Sequence, residues 1–299
     1  MRICFIFGVV LVPYFVSLAG YESLKLSGSV YKVLDSNAAT VTALSATGWL
    51  VSGIFIGMGT KLSKGCLGGH GYFSSPYLTL REAFTSAVAI GTGLIIATVR
   101  GWLPFWVSTA TEPRSAFYAK FSFWVSLIIF ALMALYSFYY ILMQLIKERG
   151  IESSEALVST LIGLVYGGGL LFGGALRPSI VVGFLNLGSW NPALGVLILT
   201  VTVIKAGIFY LVLGAPAPEQ EPGYMPIPVQ EGEASSSLYR DRRLIAGAAC
   251  FGIGWGLSGL CPGTLLAGGF FVYSHALLLV MGMLLGGIIV KLVKERWEY

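Results

Sequence analysis

Two cysteines close matching glycine-rich stretches. Residues 57–66 read GMGTKLSKGC and residues 252–261 read GIGWGLSGLC. Both fit G-x-G-x-x-L-S-x-x-C without a gap, so Gly57, Gly59, Leu62, Ser63 and Cys66 correspond to Gly252, Gly254, Leu257, Ser258 and Cys261. More glycine flanks each thiol, with Gly65 and Gly69 beside Cys66 and Gly259 and Gly263 beside Cys261. Glycine lets backbones approach closely and lets a helix break. A broken helix turns unbonded N–H groups and a positive dipole end outward, which suits an anion. A thiol at such a break is a soft, weak donor that can also become a thiolate or persulfide. His70, four residues after Cys66, could bond an anion, tune the thiol or simply close the turn. Trp255 and Pro262, inside the second copy, either wall a path or pack the broken helix. Residues 167–176 (GGGLLFGGAL) echo the glycines, but Leu176 stands where the cysteine would be.

Each copy directly follows an apolar run, so the element that positions each thiol is a membrane-type helix. Hydrophobic residues are 56% of the chain and charged residues 11%, against roughly 25% charged in a soluble domain. Too few polar residues remain to cover a water-facing surface, and the bilayer removes that contradiction. A spanning helix needs about 20 apolar residues. Segments 3–20, 43–60, 83–99, 121–146, 157–176, 192–213, 244–260 and 275–293 qualify. The expected fold is therefore all-α and polytopic, with about eight transmembrane helices plus Gly-rich re-entrant or broken segments. The chain divides into membrane halves 1–146 and 147–299, each with one motif copy. If every segment crosses once, Cys66 follows the second crossing and Cys261 the seventh, so they approach from opposite faces. An inverted, pseudo-symmetric repeat with a central path has that arrangement.

Between these segments, residues 214–239 are rich in Pro, Glu and Ser and read as a flexible loop within the second half. Residues 21–42 read as a shorter polar connection. Arg2 followed by an apolar run to Leu18 fits either a retained first helix or a signal peptide cleaved near Ala19. The larger share of Lys and Arg, including Lys147, Arg149, Arg240, Arg242 and Arg243, falls on the side of both termini. The positive-inside rule puts that side in the cytoplasm, unless residues 1–19 are removed. Trp102, Trp106, Trp124, Trp190 and Trp297 read as interfacial belt residues.

Other residues carry less specific signals. Lys205 lies inside an apolar run and either pairs with an anion or snorkels to an interface. Arg177-Pro178 closes a helix, at a pore mouth or as an interface anchor. Cys4 and Cys250, inside apolar runs, read as packed hydrophobes. Cys66, His70, Cys261 and His275 are metal-ligand types without the local pairing of a zinc site, so no metal is expected. No Walker motif, HExxH or dinucleotide fingerprint occurs, which leaves no organic cofactor to expect. The basic residues form no stripe interleaved with aromatics, which argues against nucleic acid as a partner.

The stretch Gly57–Gly71, GMGTKLSKGCLGGHG, resembles the signature G-x-G-[ST]-x-L-x-x-G-C-x-x-G-H-G of the YeeE/YedE family of sulfur-transport membrane proteins. It departs at Leu67-Gly68, where Thr-Ser is usual. Phe251–Gly263, FGIGWGLSGLCPG, resembles the family's second-half signature FGxGWGLxGxCPG. Gly163–Leu185 and the following Gly188-Ser189-Trp190-Asn191-Pro192 are similar to that half as well. The likeness covers roughly residues 48–100 and 157–293, as if two separate small subunits were fused. It implies transport of a small sulfur compound, either thiosulfate or a persulfide- or sulfide-type species, across the plasma membrane. It also implies that Cys66 and Cys261 line a central path and relay the substrate through S–H contacts. A cytoplasmic sulfur-accepting protein is an implied partner. Family members of one branch use a further cysteine near the start of the chain; Cys4 lies near the start but outside any motif. The rival reading is a membrane thiol enzyme, a sulfurtransferase or disulfide exchanger, which would need a resolving thiol, and there is no CxxC. A membrane scaffold with inert cysteines is the third.

Overall fold

The computed structural model describes residues 2–18, 23–26, 29–32, 44–63, 65–66, 80–100, 150–212, 234–269 and 276–297, and some residues between 128 and 143. Its apolar runs are helices: α1 Arg2–Leu18, α2 Ala46–Ser63, α3 Leu80–Val99, α4 Gly150–Phe172, α5 Pro178–Leu185, α6 Ala193–Val212, α7 Ala234–Ser258 and α8 Ala276–Trp297. The described residues between 128 and 143 are helical too. One small hairpin interrupts the helical fold: β1 Ser23–Leu26 pairs antiparallel with β2 Ser29–Lys32, Ser23 facing Lys32. It lies in the stretch expected to be a plain polar connection.

Several element boundaries differ from the sequence reading; α4 already begins at Gly150 and α8 runs on to Trp297. Helix α7 begins at Ala234, inside the stretch read as a flexible loop; residues 214–233 lie outside the described residues. Helix α5 is an extra short element. At the end of α4, Gly174 takes a left-handed φ of 73°, Ala175 N–H donates to Leu170 O at 3.0 Å and Gly174 N–H to Leu171 O at 3.2 Å. This Schellman arrangement closes α4, and Pro178 at the first helical position starts α5 with a φ already suited to a helix.

Helices α4 and α8 contain stretches long and apolar enough to cross a bilayer, Glu155–Phe172 and Ala276–Val293. The bent pair Arg242–Ser258 and Pro262–Gly268, at 48°, adds a third if it crosses as one unit. Ile3–Val16, Phe84–Val99 and Ala193–Ile204 are apolar but shorter. The described helices thus meet the length and hydropathy requirement less often than the eight expected crossings. Helix α2 shows why. Its buried positions include Gly48, Ser52, Gly53, Gly57, Gly59 and Ser63, small residues that pack against protein and contribute little hydropathy.

The surface is apolar and the interior holds hydroxyls. Helix α4 exposes Leu157, Leu161, Ile162 and Val165, and α8 exposes Met281, Leu284, Ile288 and Leu292. Buried inside are Ser52, Ser63, Thr85, Ser86, Ser258 and Thr264. Water would penalise that exposed face, whereas lipid hydrocarbon would not. This is a membrane protein.

Helices α2 and α7 cross at the centre. The Ser52 hydroxyl donates to Gly254 O at 2.7 Å, Gly59 abuts Phe251, and Gly247 abuts Ser63. Rising numbers on one helix meet falling numbers on the other, so the two run antiparallel. Helix α8 lies parallel to α2, with Gly53 against Leu279 and Gly57 against Met283. Helix α3 lies parallel to α7, with Gly252 against Ala89 and Gly256 against Gly93. A separate parallel pair, α1 and α4, meets through Gly8, Gly163 and Gly167. In lipid, helices gain nothing by hiding apolar surface from one another, so close van der Waals contact through small residues drives their association.

Candidate functional site

The motif serine builds the same skeleton twice. In the first copy, the Ser63 hydroxyl lies 2.7 Å from Gly59 O and 2.8 Å from Gly65 O, acceptors for its one proton. In the second, Ser258 lies 3.0 Å from Gly254 O and 3.4 Å from Leu260 O. Both serines therefore tie the carbonyl four residues earlier to the carbonyl two residues later, across the helix end. The shared G-x-G spacing serves the crossing. A methyl at Gly59 would sit 2.5 Å from the Phe251 nitrogen, and one at Gly254 would sit 2.6 Å from Ser52 O. Gly57 and Gly252 likewise face the backbones of α8 and α3.

Beyond these skeletons the two thiols meet different surroundings. Neither is in a disulfide, and both are half-buried. Cys66 lines a small pocket with Ser63, Gly65, Thr85, Ser86, Ala89, Ala248 and Phe251, with room for about one water molecule. Gly65 N–H donates to Thr60 O at 3.0 Å, turning the chain from α2 into that pocket. Ser86 is 3% exposed, and its hydroxyl has no hydrogen-bond partner.

Cys261 is the N-cap of a helical turn, Pro262–Thr264, that runs on into the π-type turn Leu265–Gly269. Thr264 N–H donates to the Cys261 sulfur at 3.5 Å, and Cys261 N–H donates to Thr264 Oγ1 at 2.9 Å. The one proton of Thr264 Oγ1 lies within reach of both Cys261 O, at 3.0 Å, and the sulfur, at 3.4 Å. The result is a capping box with a thiol in the usual serine position. Pro262 occupies the first helical position, where its missing N–H is harmless. Gly259 makes the break itself. Its φ is +70°, and a side chain there would press on Val182 and the Pro178 backbone.

Positive charge gathers near this second break. Arg177, half-buried, caps α5 without a side-chain cap bond, next to the Pro178 that touches Gly259. Arg100 Nη1 donates to Leu257 O at 2.8 Å, at the end of α7. Burial lowers the Arg100 pKa from its ordinary value, yet a guanidinium keeps its proton in proteins. Trp255 is 6% exposed and its ring lies 6.3 Å from that of Phe251, inside the core. Lys205 sits on α6, but its side chain, like all of Gly69, His70 and His275, lies outside the described residues. Cys4 is fully buried and Cys250 half-buried, both within helices. Among the described residues no three His, Cys, Asp or Glu gather as metal ligands.

Tyr166, on α4, packs its ring 5.9 Å from that of Phe5 of α1. Sequence reasoning missed Ser86 and Thr264. Only Thr264 carried a signal, the Cys-Pro-Gly-Thr spacing of a capping box. A serine in an apolar helix is too common to stand out.

Comparison with known proteins bears on the second half of the chain. A family model described as a family of unknown function, DUF6691, matches residues 155–298, the part that holds Cys261 but not Cys66. Two curated relatives from Xylella fastidiosa, strains Temecula1 and 9a5c, are each named "Probable transporter" and are 33% identical over 141 residues. The match covers 44% of this chain and 85% and 86% of the relatives' own lengths. No solved structure matches. With one third of positions identical across most of each relative, the chain belongs to the same protein family as these probable transporters.

Proposed function

We propose that the protein carries a small sulfur-containing solute across a membrane, along a path that touches Cys66 and Cys261 in turn. The observation that carries this reading is the placement of the thiols. They stand beyond opposite ends of the antiparallel α2–α7 pair. Buried serine and threonine hydroxyls and two half-buried thiols interrupt the apolar core, polar groups that a solute could meet inside the bilayer. The relatives' name supports transport. The resemblance of the two cysteine motifs to the YeeE/YedE family supports a sulfur cargo, thiosulfate or a persulfide- or sulfide-type species. In this reading α2–α3 and α7–α8 are equivalent parts of the two halves of an inverted repeat, supported by the matching parallel contacts of α2 with α8 and of α7 with α3. The shorter helices complete about eight crossings in the plasma membrane with both termini cytoplasmic. His70 and Arg177 help to hold negative charge, and a cytoplasmic protein accepts the sulfur.

The test is uptake of radiolabelled thiosulfate into proteoliposomes, with persulfide and sulfide as further cargoes. Wild-type protein should accumulate label, and Cys66→Ala or Cys261→Ala should lose most of it. Undiminished uptake by the doubly substituted protein would end the thiol-path reading.

A further inference from the structure

The pocket at Cys66 contains a buried hydroxyl that the fold leaves without work. Ser86 is 3% exposed, lines the pocket, and makes no hydrogen bond. The neighbouring Ser63 commits its proton to the carbonyls of Gly59 and Gly65, 2.7 and 2.8 Å away. Thr92, two turns further along α3, returns its proton to Val88 O at 2.9 Å, as Thr98 does to Leu94 O at 2.7 Å. A hydroxyl in an apolar helix ordinarily satisfies itself in this way. Ser86 does not, although leaving a buried donor unmade is costly.

We propose that Ser86 is a ligand-contacting residue, and that its hydroxyl donates a hydrogen bond to a terminal anionic sulfur held against the Cys66 thiol. The choice of sulfur ligand rests on the transport reading above. Two observations independent of that reading define the subsite. The pocket has a soft thiol on one wall and an unmade hydroxyl donor on another. Its volume is about that of one water molecule, so a single sulfur atom enters with the walls yielding slightly, and a four-oxygen anion does not fit inside. Hydrosulfide enters whole, whereas thiosulfate or a persulfide enters by its terminal sulfur with the remainder outside. Thr85, Ala89, Ala248 and Phe251 close the remaining walls and limit the size of what enters.

The test is thermal unfolding of the detergent-solubilised full chain, titrated separately with sodium thiosulfate, sodium hydrosulfide and sodium sulfate. A ligand that binds only the folded state raises its melting temperature. Thiosulfate or hydrosulfide should raise the melting temperature of wild type, and sulfate, which lacks a terminal sulfur, should not. If thiosulfate acts and hydrosulfide does not, the subsite takes the sulfur of a larger anion; the reverse assigns it to the small species. In Ser86→Ala the half-saturating concentration should rise about tenfold. The ligand-free melting temperature of that variant should be unchanged or higher, because an unsatisfied buried group has been removed. An unchanged half-saturation in Ser86→Ala shows a pocket for water only and overturns the proposal. So does an equal response to sulfate, or no response of wild type to either sulfur anion. Uptake by proteoliposomes separates the two ideas. Wild-type-like transport by Ser86→Ala removes the subsite and leaves the transport reading in place.

Discussion

The two ends of the α2–α7 crossing share a sequence motif and differ in what surrounds the sulfur. At both ends a serine bridges the same pair of carbonyls and glycines admit a neighbouring backbone. At the Cys261 end the sulfur is held by its own turn, through Thr264, with Arg100 and Arg177 nearby. At the Cys66 end the sulfur faces a pocket across which Ser86 is unbonded. The repeated residues therefore encode the helix crossing, the serine bridge at each helix end and the thiol. What surrounds each thiol comes from residues outside the repeat. A family resemblance carried by the motif speaks first to architecture, and the cargo must be argued from the unrepeated neighbours.

Substitution can break the shared part. Gly59→Val and Gly254→Val should each cost about 3 kcal/mol, because both would force a side chain into backbone across the crossing. Urea unfolding in detergent should show similar losses for the two. A loss at only one would show that the copies are not equivalent at the crossing. Gly168→Ala is the control. Nothing lies within 4 Å of its added methyl, and its stability should stay within about 0.5 kcal/mol of wild type.

The break before Cys261 is tested next. Gly259→Ala should cost about 2 kcal/mol, from a left-handed φ combined with contacts to Val182 and Pro178. A shift in melting temperature no larger than that of Gly168→Ala would show that the break tolerates a side chain.

The difference between the ends should appear in the cysteines. Cys261→Ala removes an N-cap and should cost about 1 kcal/mol, whereas Cys66→Ala removes no cap and should be nearly neutral. Equal melting temperatures for the two variants would remove the structural distinction. Thr264→Val should cost about 0.5–1 kcal/mol from a lost cap bond. Its sharper readout is the alkylation rate of Cys261 by a membrane-permeant maleimide, which should change while that of Cys66 does not.

Composition alone determined the class of this protein. A chain with 56% hydrophobic and 11% charged residues cannot present a water-facing surface, and its helices expose leucine, isoleucine and valine. The gapless repeat was equally legible, because Gly, Ser and Cys at fixed spacing survive as letters. The number of clear spans was not, since α2 trades hydropathy for small packed residues and hides from lipid behind α7 and α8. The start of α7 at Ala234 was obscured by a polar first turn, and α5 by its short length. That a pocket forms at the Cys66 end was beyond the sequence altogether. Ser86 shares the Cys66 pocket from α3, and Ala248 and Phe251 share it from α7, far along the chain. A local pattern can specify a turn or a cap, but only folding brings distant hydroxyls to a thiol, because that contact depends on how three helices pack.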